Sequence, residues 1–202
     1  MNADGTRLDP IPFPVTVEEA FDVAPEWAIF CGTGEKVWTW DETQSPAGRV
    51  WGNGAYKASL VPDWWGRTLA DISGELPGND VGATMTFSAS GAKLIKKRTD
   101  GIEEVGTFSF DMSKVIKAGE APGGQWSIGR LYTNQVTVLN GKQQNVPGAP
   151  PLYEYEILKL NDNQIALGWA TALKDGKVVS FDEARQNGAW SEAWYWFFKP
   201  VK

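Results

Sequence analysis

Pro62-Asp63-Trp64-Trp65-Gly66-Arg67 sets two indole rings between a carboxylate and a guanidinium. An exposed indole face suits a pyranose, because sugar C–H groups pack on the ring while flanking Asp and Arg side chains hydrogen-bond the hydroxyls. Adjacent residues of an extended chain point opposite ways, so one ring can anchor the segment while the other faces outward. The competing reading is that both rings staple a long loop to the rest of the domain. Trp51 and Trp190 lie among Gly, Asn, Gln and Arg and repeat the argument in weaker form. Trp38 and Trp40 alternate within Lys36–Trp40 and share a face roughly 6.6 Å apart, from a rise of ~3.3 Å per residue. On a barrel that face is the interior, where Trp40 either packs the core or lines a ligand cavity. Trp194 and Trp196 repeat the spacing with Tyr195 and Phe197 opposite, which predicts a strand buried on both sides or lying at an interface.

Among the carboxylates, Glu154 and Glu156 form the pair with a definite geometry. At i and i+2 of a strand their carboxyl groups stand roughly 5–7 Å apart on one face. That span overlaps the ~5–5.5 Å of retaining and the ~6.5–9.5 Å of inverting glycosidases. The segment lacks the Glu-x-Asp-x-x-Glu pattern of laminarinase-type glycosidases, and Tyr153, Tyr155 and Ile157 alternate with the two Glu, so they read as a solvated face. Asn161-Asp162-Asn163 offers oxygen ligands of the kind calcium takes, but three residues in a tight hairpin do not wrap an ion. Lys96-Lys97-Arg98, opposed by Asp100, Glu103 and Glu104, reads as a solvated hairpin tip. Cys31 reads as a small buried residue.

The chain contains 11 Trp and no His. Without His there is no Ser-His-Asp or Cys-His nucleophile and no His-containing zinc or iron site. One cysteine allows neither an internal disulfide nor a thiolate cluster. No metal or other cofactor is indicated. A net charge of −6 argues against nucleic acid and anionic membrane as partners, since both select a basic face. No apolar run approaches the ~18 residues of an integral membrane span. Met1-Asn2-Ala3-Asp4-Gly5 reads as the start of a processed secreted chain or of one domain cut from a larger protein.

The elements that must position these residues are strands. Ala83, Met85, Phe87 and Ala89 alternate with polar residues, the signature of a half-buried strand. Trp27–Phe30, Lys36–Trp40, Ala92–Arg98, Glu104–Met112, Trp126–Tyr132, Gln135–Leu139, Tyr153–Leu160, Gln164–Thr171 and Trp194–Lys199 read likewise. Asp100-Gly101, Asn140-Gly141 and Asp175-Gly176 mark tight turns between them. Sequential half-polar strands of this number predict an all-β antiparallel up-and-down meander, closed as a barrel or folded as a two-sheet β-sandwich or jelly roll. Residues 1–26, with Pro10, Pro12 and Pro14 alternating, read as an extended N-terminal arm, and residues 27–202 as one domain. Asp41–Val81 breaks the strand rhythm, and at about forty residues it is too long and too aromatic for an idle loop, so it is expected as an ordered lid over one end of the sheet. Asp182–Ser191, carrying Trp190, and the Pro-rich Asn145–Pro151 are further insertions.

Trp38-Thr39-Trp40-Asp41, Pro62–Trp65, the strand Met85–Ser90, the hairpin Tyr153–Ile165 and the aromatic end Trp194–Pro200 together resemble lipocalin-like domains of secreted Bacteroidetes lipoproteins, often encoded with polysaccharide-uptake systems. The hairpin and the aromatic end carry most of the likeness, which covers about half the chain. The resemblance implies a calycin-type barrel, a secreted, periplasmic or outer-membrane-anchored location, a glycan-related role, and other domains of a larger surface protein as partners. It carries over no catalytic residue. The expected function is non-catalytic carbohydrate binding, with Trp64, Trp65, Asp63 and Arg67 at its centre and Trp51, Trp190 and Trp40 as further ligand contacts. The rivals are a lipid or other apolar small molecule in a barrel cavity lined by Trp38, Trp40, Phe108 and Phe110, a glycoside hydrolase, and a structural interaction module.

Overall fold

The alternating segments pair in sequence order. The computed structural model describes residues 24–116, 124–146, 148–170, 173–174, 177–178 and 192–202. Its strands are β1 (Glu35–Trp40), β2 (Arg49–Ala55), β3 (Trp65–Thr68), β4 (Thr84–Ser88), β5 (Lys93–Lys97), β6 (Glu103–Asp111), β7 (Gly129–Asn134), β8 (Glu154–Asn161), β9 (Gln164–Ala170), β10 (Leu173–Lys174), β11 (Lys177–Val178) and β12 (Glu192–Pro200). Strands β1, β4, β5, β6, β7, β8, β9 and β12 form a continuous antiparallel ladder, and β12 pairs back onto β1. The fold is therefore all-β and a closed eight-stranded up-and-down barrel of lipocalin-like form, not a two-sheet sandwich. No described helix is long and apolar enough to cross a membrane.

The interior is built by the predicted alternation. Trp38, Trp40, Met85, Phe87, Leu94, Phe108, Leu131, Tyr155, Ile157, Ile165, Leu167, Trp196 and Phe198 are all buried in one cluster. The outer faces of β9 and β12 carry a second cluster, in which Tyr195, Phe197, Ala166 and Ala170 pack under Tyr56 and Trp126. Trp126 clamps this cover by donating its indole N–H to the Ser59 carbonyl at 2.7 Å. The last strand is thus covered on both sides, one of the two arrangements its paired aromatics predict.

Three segments depart from the sequence expectation. Trp27–Phe30, read as a strand, lies in a helix, α1 (Glu26–Cys31), that follows Pro25. Its buried end, Phe30 and Cys31, closes one end of the barrel, with the Phe30 ring 5.1 Å from Phe87 and 5.7 Å from Phe108. Gln135–Leu139, also read as a strand, pairs with nothing. Gln135 takes a left-handed φ of 65°, which ends β7, and the chain then folds into the opposite end of the barrel with Val136, Val138 and Leu139 buried.

The third departure is Asp41–Val81, expected to have little strand structure. It contains β2 and β3, a hairpin that extends the sheet beyond the barrel, and a helical turn, α2 (Leu69–Ile72). β1 and β2 both run along β12, β1 against Phe198–Pro200 and β2 against Glu192–Trp196. They are one strand interrupted by residues 41–48. Glycines explain how β2 escapes recognition: a Cβ at Gly52 would collide with the Trp65 carbonyl and the Gly66 Cα, and one at Gly54 with Asp63. Only a bare backbone lets residues 61–66 cross so closely. The arm at residues 1–26 falls, up to residue 23, outside the described residues, as does all of Asp182–Ser191.

Candidate functional site

The flap formed by β2 and β3 has one face toward the barrel mouth, and register decides what stands on it. Residues directly opposite across an antiparallel ladder share a face. Asn53 is opposite both Trp65 and Trp194, Trp51 is opposite Arg67 and Trp196, and Ala55 is opposite Glu192. Trp51, Asn53, Trp65, Arg67, Glu192 and Trp194 therefore occupy a single face assembled from three strands.

The rings on this face form a connected group. Trp51 stacks on Trp194 at 5.2 Å, and Trp65 meets Trp51 and Trp194 nearly edge-on at 5.4 and 5.9 Å. The Arg67 guanidinium sits 4.4 Å over the Trp65 ring, a cation–π contact. Trp51 and Trp194 are buried, whereas Trp65 remains 37% exposed. The indole N–H groups of Trp51 and Trp194 are enclosed and have no acceptor among the described residues. A buried donor left unsatisfied is unusual enough to require a reason.

Polar groups border the rings. Asn53 donates its amide to Glu192 Oε1, Asn145 donates to Glu192 Oε2 at 2.9 Å, and the Trp65 backbone N–H donates to Asn53 Oδ1 at 3.1 Å. Arg67 Nε pairs with Glu75 at 2.5 Å. The strand end behind Arg67 is fixed by a reciprocal cap: Thr68 N–H donates to Asp71 Oδ2 at 2.9 Å, and Asp71 N–H donates to Thr68 Oγ1. Hydrogen bonds from Thr68 hold the Asp71 carboxyl below its usual range.

Trp64, next to Trp65 in sequence, points the other way and is 53% exposed. Its neighbour Asp63 is exposed, with Oδ1 accepting from the Ala55 N–H at 3.3 Å. The hexapeptide therefore presents two surfaces: Trp65 with Arg67 on the flap face, and Trp64 on the reverse side. Trp51, expected in a loop, lies within β2 and supports Trp65 from behind. Trp190 lies outside the described residues.

The remaining candidates have partners within the protein. Trp40 is buried, its ring 5.1 Å from Phe198 and its N–H donating to the Asn79 carbonyl at 2.8 Å. Trp38 likewise donates to the Phe30 carbonyl at 3.0 Å, and Trp27 packs against Phe108 and Phe110. Of the rings expected to line an apolar cavity, Trp38, Trp40 and Phe108 are buried in the core and Phe110 is partly buried against it. Glu154 and Glu156 share a face as expected but are not a solvated pair. Arg130 bridges them, Nη1 to Glu154 at 2.7 Å and Nε to Glu156 at 2.9 Å, and Glu156 is only 1% exposed. Both carboxylates are spoken for by one guanidinium on the adjacent strand. Asn161–Asn163 forms the expected tight turn, Asn163 N–H donating to Asn161 Oδ1.

Asn53, Asn145 and Glu192 belong to this site but carry no local signal in the sequence. Asn53 and Glu192 are 139 positions apart and meet only because β2 and β12 pair. No protein-family model matches the chain, and no curated protein is significantly similar to it in sequence.

Proposed function

We propose that this barrel is a non-catalytic glycan-binding domain of a secreted or cell-surface bacterial protein, of the lipocalin-like kind that its hairpin and aromatic end resemble. The observation that carries the reading is Trp65, a partly exposed indole held rigidly by two buried indoles and bordered by Arg67, Asn53 and Glu192. Binding sites of this type need an apolar platform with a few oriented polar groups. A ring fixed by packing loses little entropy when a sugar docks on it. The Glu192 oxygens accept hydroxyls while the two amides hold the carboxylate in place. Trp64 supplies a second ring on the reverse of the same hairpin, which suits a chain longer than one sugar unit.

Intrinsic fluorescence during titration with a panel of neutral and acidic glycans tests this. At least one glycan is expected to shift the emission saturably, and Trp65→Ala to weaken that binding by about tenfold, as a stacking contact of 1–3 kcal/mol implies. Silence across the whole panel, or a Trp64→Ala/Trp65→Ala protein that binds like the parent, removes the proposal.

A further inference from the structure

The flap end of the barrel also holds a cavity that the indole platform does not use. It encloses about 220 Å³ between the β5–β6 hairpin, the inward-folded segment 135–142 and residues 149–153, and its lining includes Lys96, Arg98, Glu104, Asn140, Lys142 and Tyr153. The volume is below the ~300–1,000 Å³ of pockets for drug-sized ligands, so it fits one ring or a small acid.

Its electrostatics are unusual for a molecule of net charge −6. Lys96, read from sequence as part of a solvated tip, is 4% exposed and stands opposite the core residue Met85. Its ammonium donates to Thr137 Oγ1 at 3.0 Å and pairs with Glu104 at 2.7 Å. That engages two of its three donors. Burial holds its pKa below the usual lysine range against the opposing pull of Glu104, and the charges of Arg98 and Lys142 push the same way as burial. Arg98 is engaged by Asp100 at 2.5 Å and by Glu104 at 3.4 Å. Lys142 is exposed and has no carboxylate partner among the described residues. Asn140, 3% exposed, lines the cavity, and its amide Nδ2 has no acceptor among the described residues. The cavity thus gathers three cations and an unsatisfied amide donor around one lining carboxylate, Glu104, with Asp100 holding Arg98 from outside the lining. What is missing is an anionic acceptor.

From this arrangement we infer that the cavity binds the carboxylate of a hexuronate unit, so that the glycan taken by this barrel is acidic. The identity of the ligand as a sugar rests on the glycan reading above, and its negative charge rests on the cavity alone. The carboxylate takes up the spare donors of Lys96, Asn140 and Lys142. Glu104 and Gln135 accept ring hydroxyls, and Tyr153 forms a wall at the opening.

Amide NMR of the full chain, titrated with galacturonate and glucuronate and with galactose and glucose as neutral counterparts, decides the matter. The uronates are expected to shift amides of residues 96–104 and 135–142 saturably, and the neutral sugars to leave them in place. Raised salt should weaken the binding. Lys142→Glu, a surface change that leaves the fold intact, should weaken it by about tenfold or more, the scale of one charge-assisted hydrogen bond. Equal shifts from neutral sugars, a Lys142→Glu protein that binds uronate normally, or a response to a sulfated but not a carboxylated sugar each overturn the inference. If neutral glycans bind at Trp64 and Trp65 while uronates never reach the cavity, this inference fails alone. If no sugar binds at either place, both fail.

Discussion

Cys31 shows how placement sets the chemistry of a side chain. It ends α1 in the barrel floor, and burial, assisted by Glu35, pushes its thiol up to about 11 from a reference of 9.0. The protonated form is the one the fold prefers. Its contribution to stability is therefore full below pH 9 and is lost as pH climbs through 9 toward 11. In the native protein at pH 8 the thiol should resist an aromatic disulfide reagent, and in denaturant it should react fully. Rapid reaction of the folded chain would show that the floor opens. Lys96 makes the opposite lesson. Its neighbours in sequence suggest a charged tip, and Lys97 and Arg98 do pair there with Glu103 and Asp100. Yet strand alternation turns one residue of the run inward, and composition alone does not say which. Arg130 was invisible for another reason: nothing near it in sequence announces that Glu154 and Glu156 will flank it.

Elements were legible where period two was clean. β1, β4, β5, β6, β8, β9 and β12 all lie where alternating side chains placed them, because one face of each meets the core and the other meets water or a cover. α1 was misread because a four-residue apolar run has no period of its own. β2 was missed because Gly52 and Gly54 remove half of its alternation, and its reason for being a strand lies in β12 and in the crossing of residues 61–66. The same feature gives a test. Gly54→Val should push β2 and β3 apart, lowering stability by about 1–3 kcal/mol, the usual range for overpacking. It should also make the segment 56–64 the first site of proteolysis. A variant with unchanged melting temperature and cleavage pattern would mean the hairpin is not held by this close approach. The platform was half legible: Trp65 and Arg67 were named from sequence, but their partners Asn53, Glu192 and Asn145 come from three distant segments.

The closed ring is a property of the whole chain. β12 pairs with β9 on one edge and with β1 and β2 on the other, and its side chains belong to both hydrophobic clusters. A chain ending before Glu192 should leave β1, β2 and β9 with open edges, which templates association. Size-exclusion chromatography is expected to show aggregates or an expanded species in place of the full chain's compact form. A compact, cooperatively melting product would show that seven strands suffice. The order of synthesis adds a further consequence. The strand that joins first to ninth is the last of the barrel to leave the ribosome, so the ring cannot shut until translation has passed Pro200. Contacts this remote along the chain slow folding, and a growing polypeptide in that interval has unpaired edges for a holding chaperone to occupy.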